Sequence, residues 1–359
     1  MHAVNNYGSV LQTLATEKIF HDLGCQIETL DYIQDSLQMD SISKIIKHGG
    51  PGWKIKLKQI ILHLTNHDTS DRRNAFDEFR KKYLHLSQHR YYSVKELYNS
   101  VPAADIYCTG SDQTWNTKLH GVSDAYFLRF APIGKKKISF SASFGIEELP
   151  NKDKDKAKRY LSEYNAISVR ESSGLDILRG LGINNGSHLL DPTLVVDRRF
   201  WENISAERQY NQEYIFVYQL NSSKIFTDYA NAFAEKKGLP IIYVRSRRNN
   251  GLVNSKYLGT PSPEVVLSLF RYSSYVITDS FHATVFSILF HCNFINILPP
   301  YFSTRIMSIL DQTKLNCRLV TDLNEFDYTD TPINWDDVDS LLLKEREKAI
   351  EFLKEAIKK

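Results

Sequence analysis

The sequence predicts an α/β protein built from two Rossmann-like halves that face each other across a cleft. Three observations carry this. Short apolar runs alternate with amphipathic helical ones, the pattern of βα units and a largely parallel sheet. The pattern stops in a polar stretch at 197–213, which reads as a linker holding Trp201 and Asn203, and then restarts, dividing the chain into 1–205 and 206–359. Finally, polar loops that lead straight into helices recur: Asn5-Asn6-Tyr7-Gly8-Ser9, Gly110-Ser111-Asp112-Gln113-Thr114-Trp115-Asn116 and Thr278-Asp279-Ser280-Phe281-His282. In open α/β sheets ligands bind at such loops, because N–H groups at a helix N-terminus attract anions.

In the first half, Val10, Leu11, Leu14, Ala15, Ile19 and Leu23 recur at helical spacing and predict a helix over 9–23. Strands follow at 26–32, 105–109, 138–143 and 166–169, with a charged helix at 151–164. Residues 41–99 break the alternation and read as a helical insertion. Within it, Lys44, Lys47, Lys54, Lys56 and Lys58 accompany Trp53, Ile55, Leu57, Ile60, Ile61 and Leu64. That pattern fits a helix packed on the domain with its lysines solvated, or one lying on an anionic membrane surface. In the second half, strands at 214–219, 240–244, around Val276 and at 294–297 alternate with helices at 222–237, at 263–270 and from His282 onward. A long terminal helix runs over 335–356, with Asn334 as its N-cap and Asp336 and Asp337 in its first turn.

Composition narrows the function. Of 359 residues, 42% are hydrophobic and 24% charged, as in an ordinary globular protein, and a net charge of +3 argues against nucleic acid. The four cysteines form no CxxC pair, so neither a zinc site nor any other metal or cofactor is expected, and scattered thiols fit a reducing compartment. No apolar run reaches the length of a membrane span and no basic-then-apolar leader is present, which predicts a cytoplasmic protein, at the inner face of the membrane if the basic helix engages lipid. The 20 Tyr and 19 Phe suit a protein that handles carbohydrate.

Six segments occur in order: Asn6-Tyr7-Gly8-Ser9-Val10-Leu11-Gln12, Gly110-Ser111-Asp112-Gln113-Thr114-Trp115-Asn116, Ser141-Ala142-Ser143-Phe144-Gly145, Val169-Arg170-Glu171, Leu190-Asp191-Pro192-Thr193-Leu194 and Thr278-Asp279-Ser280-Phe281-His282-Ala283. Together they resemble the polysaccharide pyruvyl transferase family. The resemblance implies a fold like the two-domain GT-B glycosyltransferases. It also implies transfer of a pyruvyl group from phosphoenolpyruvate to two hydroxyls of a sugar, in a polysaccharide or a lipid-linked precursor, giving a cyclic ketal. Two departures stand out. The family's apolar first strand is absent or reduced here, since the chain opens at Met1-His2-Ala3-Val4, and Ser280 stands where one branch carries an arginine.

That chemistry needs cations for the donor and positioned acids and bases. His282 is the candidate proton donor, because its intrinsic pKa lies near neutrality. Asp279 is its candidate partner or a base, and Asp112 is a further catalytic candidate. Arg170, Arg245 and Arg305, with Ser280 and Thr278, are donor-binding candidates. Asn6, Tyr7, Gly8, Ser9, Gly110, Ser111 and Gln113 are acceptor-side candidates, with Trp115 as a stacking platform. The bland alternatives are helix caps, a glycine that permits a positive φ, and a tryptophan in the core. Asp191 reads as a structural strand end turned by Pro192. Two other functions are open: a GT-B-type glycosyltransferase, which would use the same loops for the diphosphate of a nucleotide sugar, and a glycan-binding module, which needs only one such loop and so fits the several loops least.

Overall fold

The computed structural model describes residues 2–34, 70–244, 251–299, 303–320 and 332–358. The N-terminal half runs α1 (Tyr7–Asp22), β1 (Thr29–Tyr32), α2 (Ser70–Tyr83), β2 (Leu86–Tyr91), α3 (Val94–Asn99), β3 (Ile106–Thr109), α4 (Thr117–His120), β4 (Lys136–Ser139), α5 (Asn151–Leu161), β5 (Ile167–Val169), α6 (Ser172–Gly180), β6 (Gly186–His188), α7 (Pro192–Val195) and α8 (Arg198–Ile204). The remainder is β7 (Ile215–Tyr218), α9 (Lys224–Lys237), β8 (Ile241–Val244), β9 (Ser255–Tyr257), α10 (Pro263–Arg271), β10 (Tyr275–Thr278), α11 (Phe281–Leu289), β11 (Asn293–Ile297), α12 (Thr304–Thr313), β12 (Leu319–Val320) and α13 (Trp335–Ile357).

The C-terminal half is a doubly wound sheet. Its six strands are all parallel in the order β12-β11-β10-β7-β8-β9. Ile215-Phe216-Val217-Tyr218 and Ile241-Ile242-Tyr243-Val244 are buried throughout, as strands covered on both faces must be. The strand order reverses between β7 and β10, which makes the carboxyl ends of these two strands the topological switch point.

In the N-terminal half β1 pairs with β2, β3 with β4 and β5 with β6, each pair parallel. Bridges Ile138↔Ala166 and Ala142↔Val169 join β4 to β5. Two paired α/β halves are therefore present, as expected. Among the described residues no strand precedes α1, and β1 and β3 are not paired with each other. A cavity of about 1170 Å³ lies along them, lined by Thr29 and Leu30 on one side and Tyr107 and Cys108 on the other.

Several expectations are corrected. The stretch at 197–213 is not all linker: α8 occupies its start, and Trp201 is fully buried, its Nε1–H donating to the Thr193 carbonyl at 3.0 Å and its ring set edge-on to Phe286. The indole joins the halves. The region read as a helical insertion contains a strand, β2, and its helix α2 carries the buried Phe76 and Phe79. Lys44 to Leu64, and with them the basic amphipathic pattern, lie outside the described residues. The terminal helix α13 does not stay with the second half: Arg346 Nε donates to the Leu194 carbonyl at 2.6 Å, and α13 packs on both α7 and α12. One apolar core runs through all of this, from Val10 and Leu14 through Leu194 to Val276, Leu310 and Leu342. Among the described residues no helix is long and apolar enough to cross a membrane.

Candidate active site

Loops from both halves converge where α1, α7 and α11 begin. Asn6 caps α1, its side chain accepting from Ser9 N–H at 3.2 Å. The Asn5–Asn6 turn is held from outside by α2: Arg80 Nε donates to the His2 carbonyl at 2.8 Å, Arg80 Nη2 to Asn5 Oδ1 at 2.5 Å, and Arg72 to the Asn5 carbonyl. Ser9 Oγ then donates to Asp112 Oδ2 at 2.6 Å, which ties the first polar loop to the second.

The centre is Asp191. Its Oδ1 accepts from Thr193 N–H at 2.9 Å and Thr193 Oγ1 at 2.5 Å, the ordinary duty of a helix N-cap. Its Oδ2 accepts from Arg170 Nη1 and from Ser111 Oγ, both at 2.7 Å, and lies 3.8 Å from His282 Nε2. The Arg170 and Asp191 side chains are 1% and 0% exposed. A residue expected to be structural is thus also the carboxylate that faces the histidine.

Burial and neighbouring charge set the protonation states. Burial pushes His282 down to about 4 against the pull of Asp191 and Asp112, with Arg170 and Arg305 adding to the depression, so the imidazole is neutral at pH 7. Burial would raise the carboxyls of Asp112 and Asp191, but Arg170 opposes it and, with His282 and local hydrogen bonds, holds both below the usual carboxylate range. Burial and then Arg170 lower Arg305 to about 10, which leaves it charged.

Arg170 and Arg305 both stand over the ring of Phe281, at 4.3 and 5.8 Å from its centroid. This brings two cations from different halves to the start of α11. Several buried atoms here have no hydrogen-bond partner: Arg170 Nε and Nη2, Arg305 Nε, His282 Nε2 and Glu171 Oε2. A buried donor left unmade costs about 1–3 kcal/mol, and an anion beside these guanidiniums would supply the missing acceptors. Among the described residues no group of three or more His, Cys, Asp and Glu could hold a metal ion.

The remaining candidates divide. Gly8, Ser9, Ser111, Asp112, Arg170, Arg305 and His282 come together. Gln113 lies beside them, its side chain bonded to Asn116 and packed on Gly145. Tyr7 turns away: its hydroxyl donates to the Pro261 carbonyl at 2.7 Å. Trp115 is fully buried, stacked on Phe127 with its Nε1–H on the Tyr126 carbonyl, so no ring face is open to a sugar. Asp279 does not orient His282. Its oxygens accept from Leu220 N–H, Asn221 N–H and Asn221 Nδ2 at 2.7, 2.8 and 3.0 Å, clamping the loop after β7, and burial raises its pKa. Thr278 Oγ1 donates to the Tyr218 carbonyl and accepts from Ser280 N–H, while Ser280 holds the N-cap position of α11 without a side-chain cap bond. Gly110 follows β3 directly, and its carbonyl accepts from Thr114 Oγ1 at 3.2 Å. Arg245 lies outside the described residues.

Sequence reading missed Glu171 and undervalued Asp191. Glu171 Oε1 accepts from Phe144 N–H at 2.7 Å and Gly145 N–H at 2.9 Å. The signals for it are its place in the Val169-Arg170-Glu171 segment and its position directly after Arg170 at a strand end.

The strand order defines a doubly wound α/β architecture, and Asp112, Arg170, Asp191, His282 and Arg305 form a cluster of titratable side chains where its two halves meet. Residues 6–299 match the family model for polysaccharide pyruvyl transferase, and the chain belongs to that family. It is a transferase. No curated protein matches the chain at a significant level. Solved structures similar to it include MurG from Acinetobacter baumannii (9% identity, 96% of this chain and 94% of that one, TM-score 0.43), UDP-GlcNAc 2-epimerase from Neisseria meningitidis bound to UDP-GlcNAc (9%, 93% and 95%, 0.42) and the Escherichia coli heptosyltransferase WaaC with ADP (12%, 96% and 97%, 0.39). These likenesses are loose; the class follows from the family match.

Proposed function

We propose that the protein transfers a pyruvyl group from phosphoenolpyruvate to two hydroxyls of a sugar, in a polysaccharide or its precursor, and closes a cyclic ketal. The observation that carries this is the pairing of Arg170 and Arg305, with unpartnered buried N–H groups, beside a neutral His282. Phosphoenolpyruvate brings a phosphate and a carboxylate, and planar guanidiniums suit both.

In this reading the bound dianion raises the His282 pKa, so the imidazole takes up a proton on binding. It gives that proton to the methylene carbon of the donor, which becomes the methyl group. One sugar hydroxyl adds to the adjacent carbon and loses its proton to Asp112, which stays ionised at neutral pH. The second hydroxyl then adds to the same carbon as the C–O bond to phosphate breaks; its proton goes to His282, neutral again after the first step, which passes it to the departing phosphate, while Asp112 returns its proton to solvent, and two C–O bonds are complete. Asp191 stabilises the imidazolium that exists in between.

The nucleotide-sugar alternative has less support. At the switch point of the C-terminal sheet the N–H groups of Leu220 and Asn221 already donate to Asp279 and are not free for a diphosphate. Thermal shift separates the readings, since a ligand bound only by the native state raises the melting temperature. Stabilisation by phosphoenolpyruvate and a ketal product in mass spectrometry support the proposal. Stabilisation by UDP- or GDP-sugars alone would replace it with the glycosyltransferase.

A further inference from the structure

The two guanidiniums sit on different parts of the chain: Arg170 follows β5, and Arg305 belongs to α12. Something must fix their separation, because an anion held between two cations is sensitive to a shift of about 1 Å. Ser308 lies one helical turn beyond Arg305 on α12, so the two share a face. Ile306, Ile309 and Leu310 are buried along the adjoining face of the helix and set its rotation.

Ser308 Oγ accepts from Ser172 N–H at 3.1 Å and lies 3.2 Å from His188 Nε2. The same His188 Nε2 lies 3.2 Å from the Arg170 carbonyl. A carbonyl oxygen can only accept, so Nε2 must carry the hydrogen and be shared between that carbonyl and Ser308 Oγ. The contacts therefore grip the main chain on both sides of Glu171, at Arg170 and at Ser172, and link it to the helix that carries Arg305. Glu171 itself is anchored to Phe144 N–H and Gly145 N–H, so the gripped segment cannot slide. Neither Ser308 nor His188 is among the groups that would touch the donor.

We infer that Ser308 and His188 are positioning residues that set the spacing of the Arg170 and Arg305 guanidiniums, and with it the affinity for the anionic donor. The inference rests on the pyruvyl-transfer reading of the site. It adds that α12 is held in register by a polar clasp and not by apolar packing alone.

The test uses the full chain and four variants: Ser308→Ala, Ser308→Thr, His188→Ala and His188→Gln. Loss of one well-placed hydrogen bond corresponds to about a tenfold change. Ser308→Ala and His188→Ala should raise KM for phosphoenolpyruvate about tenfold while kcat stays within about twofold, the pattern of lost uniform binding. Ser308→Thr keeps the hydroxyl and His188→Gln keeps an N–H donor, and both should return KM to within about threefold of wild type. Unchanged KM in both alanine variants overturns the inference. So does a loss of kcat and melting temperature that the conservative variants do not rescue, because that is the mark of a merely structural contact. If the wild-type protein neither turns over nor binds phosphoenolpyruvate, the pyruvyl-transfer reading fails, and inorganic phosphate becomes the probe. A tenfold weaker phosphate affinity in Ser308→Ala then still supports the clasp, whereas equal affinity, or no phosphate binding by the wild type, overturns it.

Discussion

Gly8 lies against the imidazole of His282 so closely that a Cβ added to it would stand 2.0 Å from Nδ1 and 2.4 Å from Cγ. The glycine is there for room. It sits in the first turn of α1 and is absent from the residues with positive φ, so conformational freedom is not its purpose. The contact joins the start of α1 to the start of α11 and presses the imidazole toward Asp191.

Gly8→Ala should therefore damage catalysis more than folding. The atoms met first belong to the His282 ring, Cγ included, so the imidazole has to be displaced. Helix propensity favours Ala by about 1 kcal/mol, which offsets part of a crowding cost of about 1–3 kcal/mol. Turnover with phosphoenolpyruvate should fall at least about 100-fold, the usual worth of a positioned acid, while the melting temperature moves by only a few degrees. Near-normal turnover in this variant would show that the imidazole takes no part.

Much of this arrangement is legible in the chain. The polar loops announce themselves because apolar strand runs stop abruptly, and the helices at 7–22, 224–237, 263–271 and 335–357 fall within a few residues of their expected bounds. What is not legible is which loop side chains meet. Asp279 lies three residues from His282 and looked like its partner, yet it turns to the β7 loop, while the partner is Asp191, 91 positions earlier (282 − 191). Local sequence shows caps, and Asp191 is a true cap; its second oxygen acquires its role only through tertiary packing. Polar neighbours make the stretch around Trp201 look like a linker, although one buried indole can anchor a whole segment. Helix α12 lies outside the predicted elements, although Ile306, Ile309, Leu310 and Thr313 carry the helical spacing that marks its buried face.

Trp115 gives a direct test of the corrected view. As a sugar platform, its loss would raise KM for the acceptor and leave stability alone. As a buried core residue, Trp115→Ala should cost about 3–5 kcal/mol of folding free energy. Urea unfolding measures this through the transition midpoint. A variant with wild-type stability and weakened acceptor binding would restore the platform role.

Asp191→Ala should be among the most damaging single changes in the protein. It removes the cap of α7, frees Ser111 Oγ and leaves Arg170 charged in a site with almost no solvent contact. Breaking a buried pair from one side costs about 3–5 kcal/mol. Because the unpaired cation is what destabilises, Arg170→Met added to Asp191→Ala should recover part of the loss. A double variant less stable than the single one by the full cost of the arginine change would mean the two residues do not interact.

Acid should weaken the fold before the carboxylates titrate. Burial lowers His282, His120 and His2 to about 4 from an ordinary value of 6.5. Between those values the unfolded chain binds protons that the native state does not, so stability falls as pH drops from about 6.5 to about 4 and is fully present above that window. Each group contributes at most roughly 3 kcal/mol. The stabilising carboxylates Asp112 and Asp191 have lowered pKa values, so their contribution is lost only at more acid pH, as the native carboxyls themselves take up protons.

Donor binding should run the other way. Burial holds His282 neutral at pH 7, and a dianion beside Nε2 would favour the imidazolium, so binding should take up a proton. Affinity for phosphoenolpyruvate should therefore increase as pH falls from 8 toward 6, by up to about tenfold per unit while the bound form is protonated and the free form is not. Calorimetry in buffers of different ionisation enthalpy reads the proton count directly. In His282→Asn the uptake should vanish and the affinity should lose that part of its pH dependence. Proton uptake that persists unchanged in this variant would assign the titrating group elsewhere, either to the ligand's phosphate or to another residue, and would remove the imidazole from the proton-transfer step.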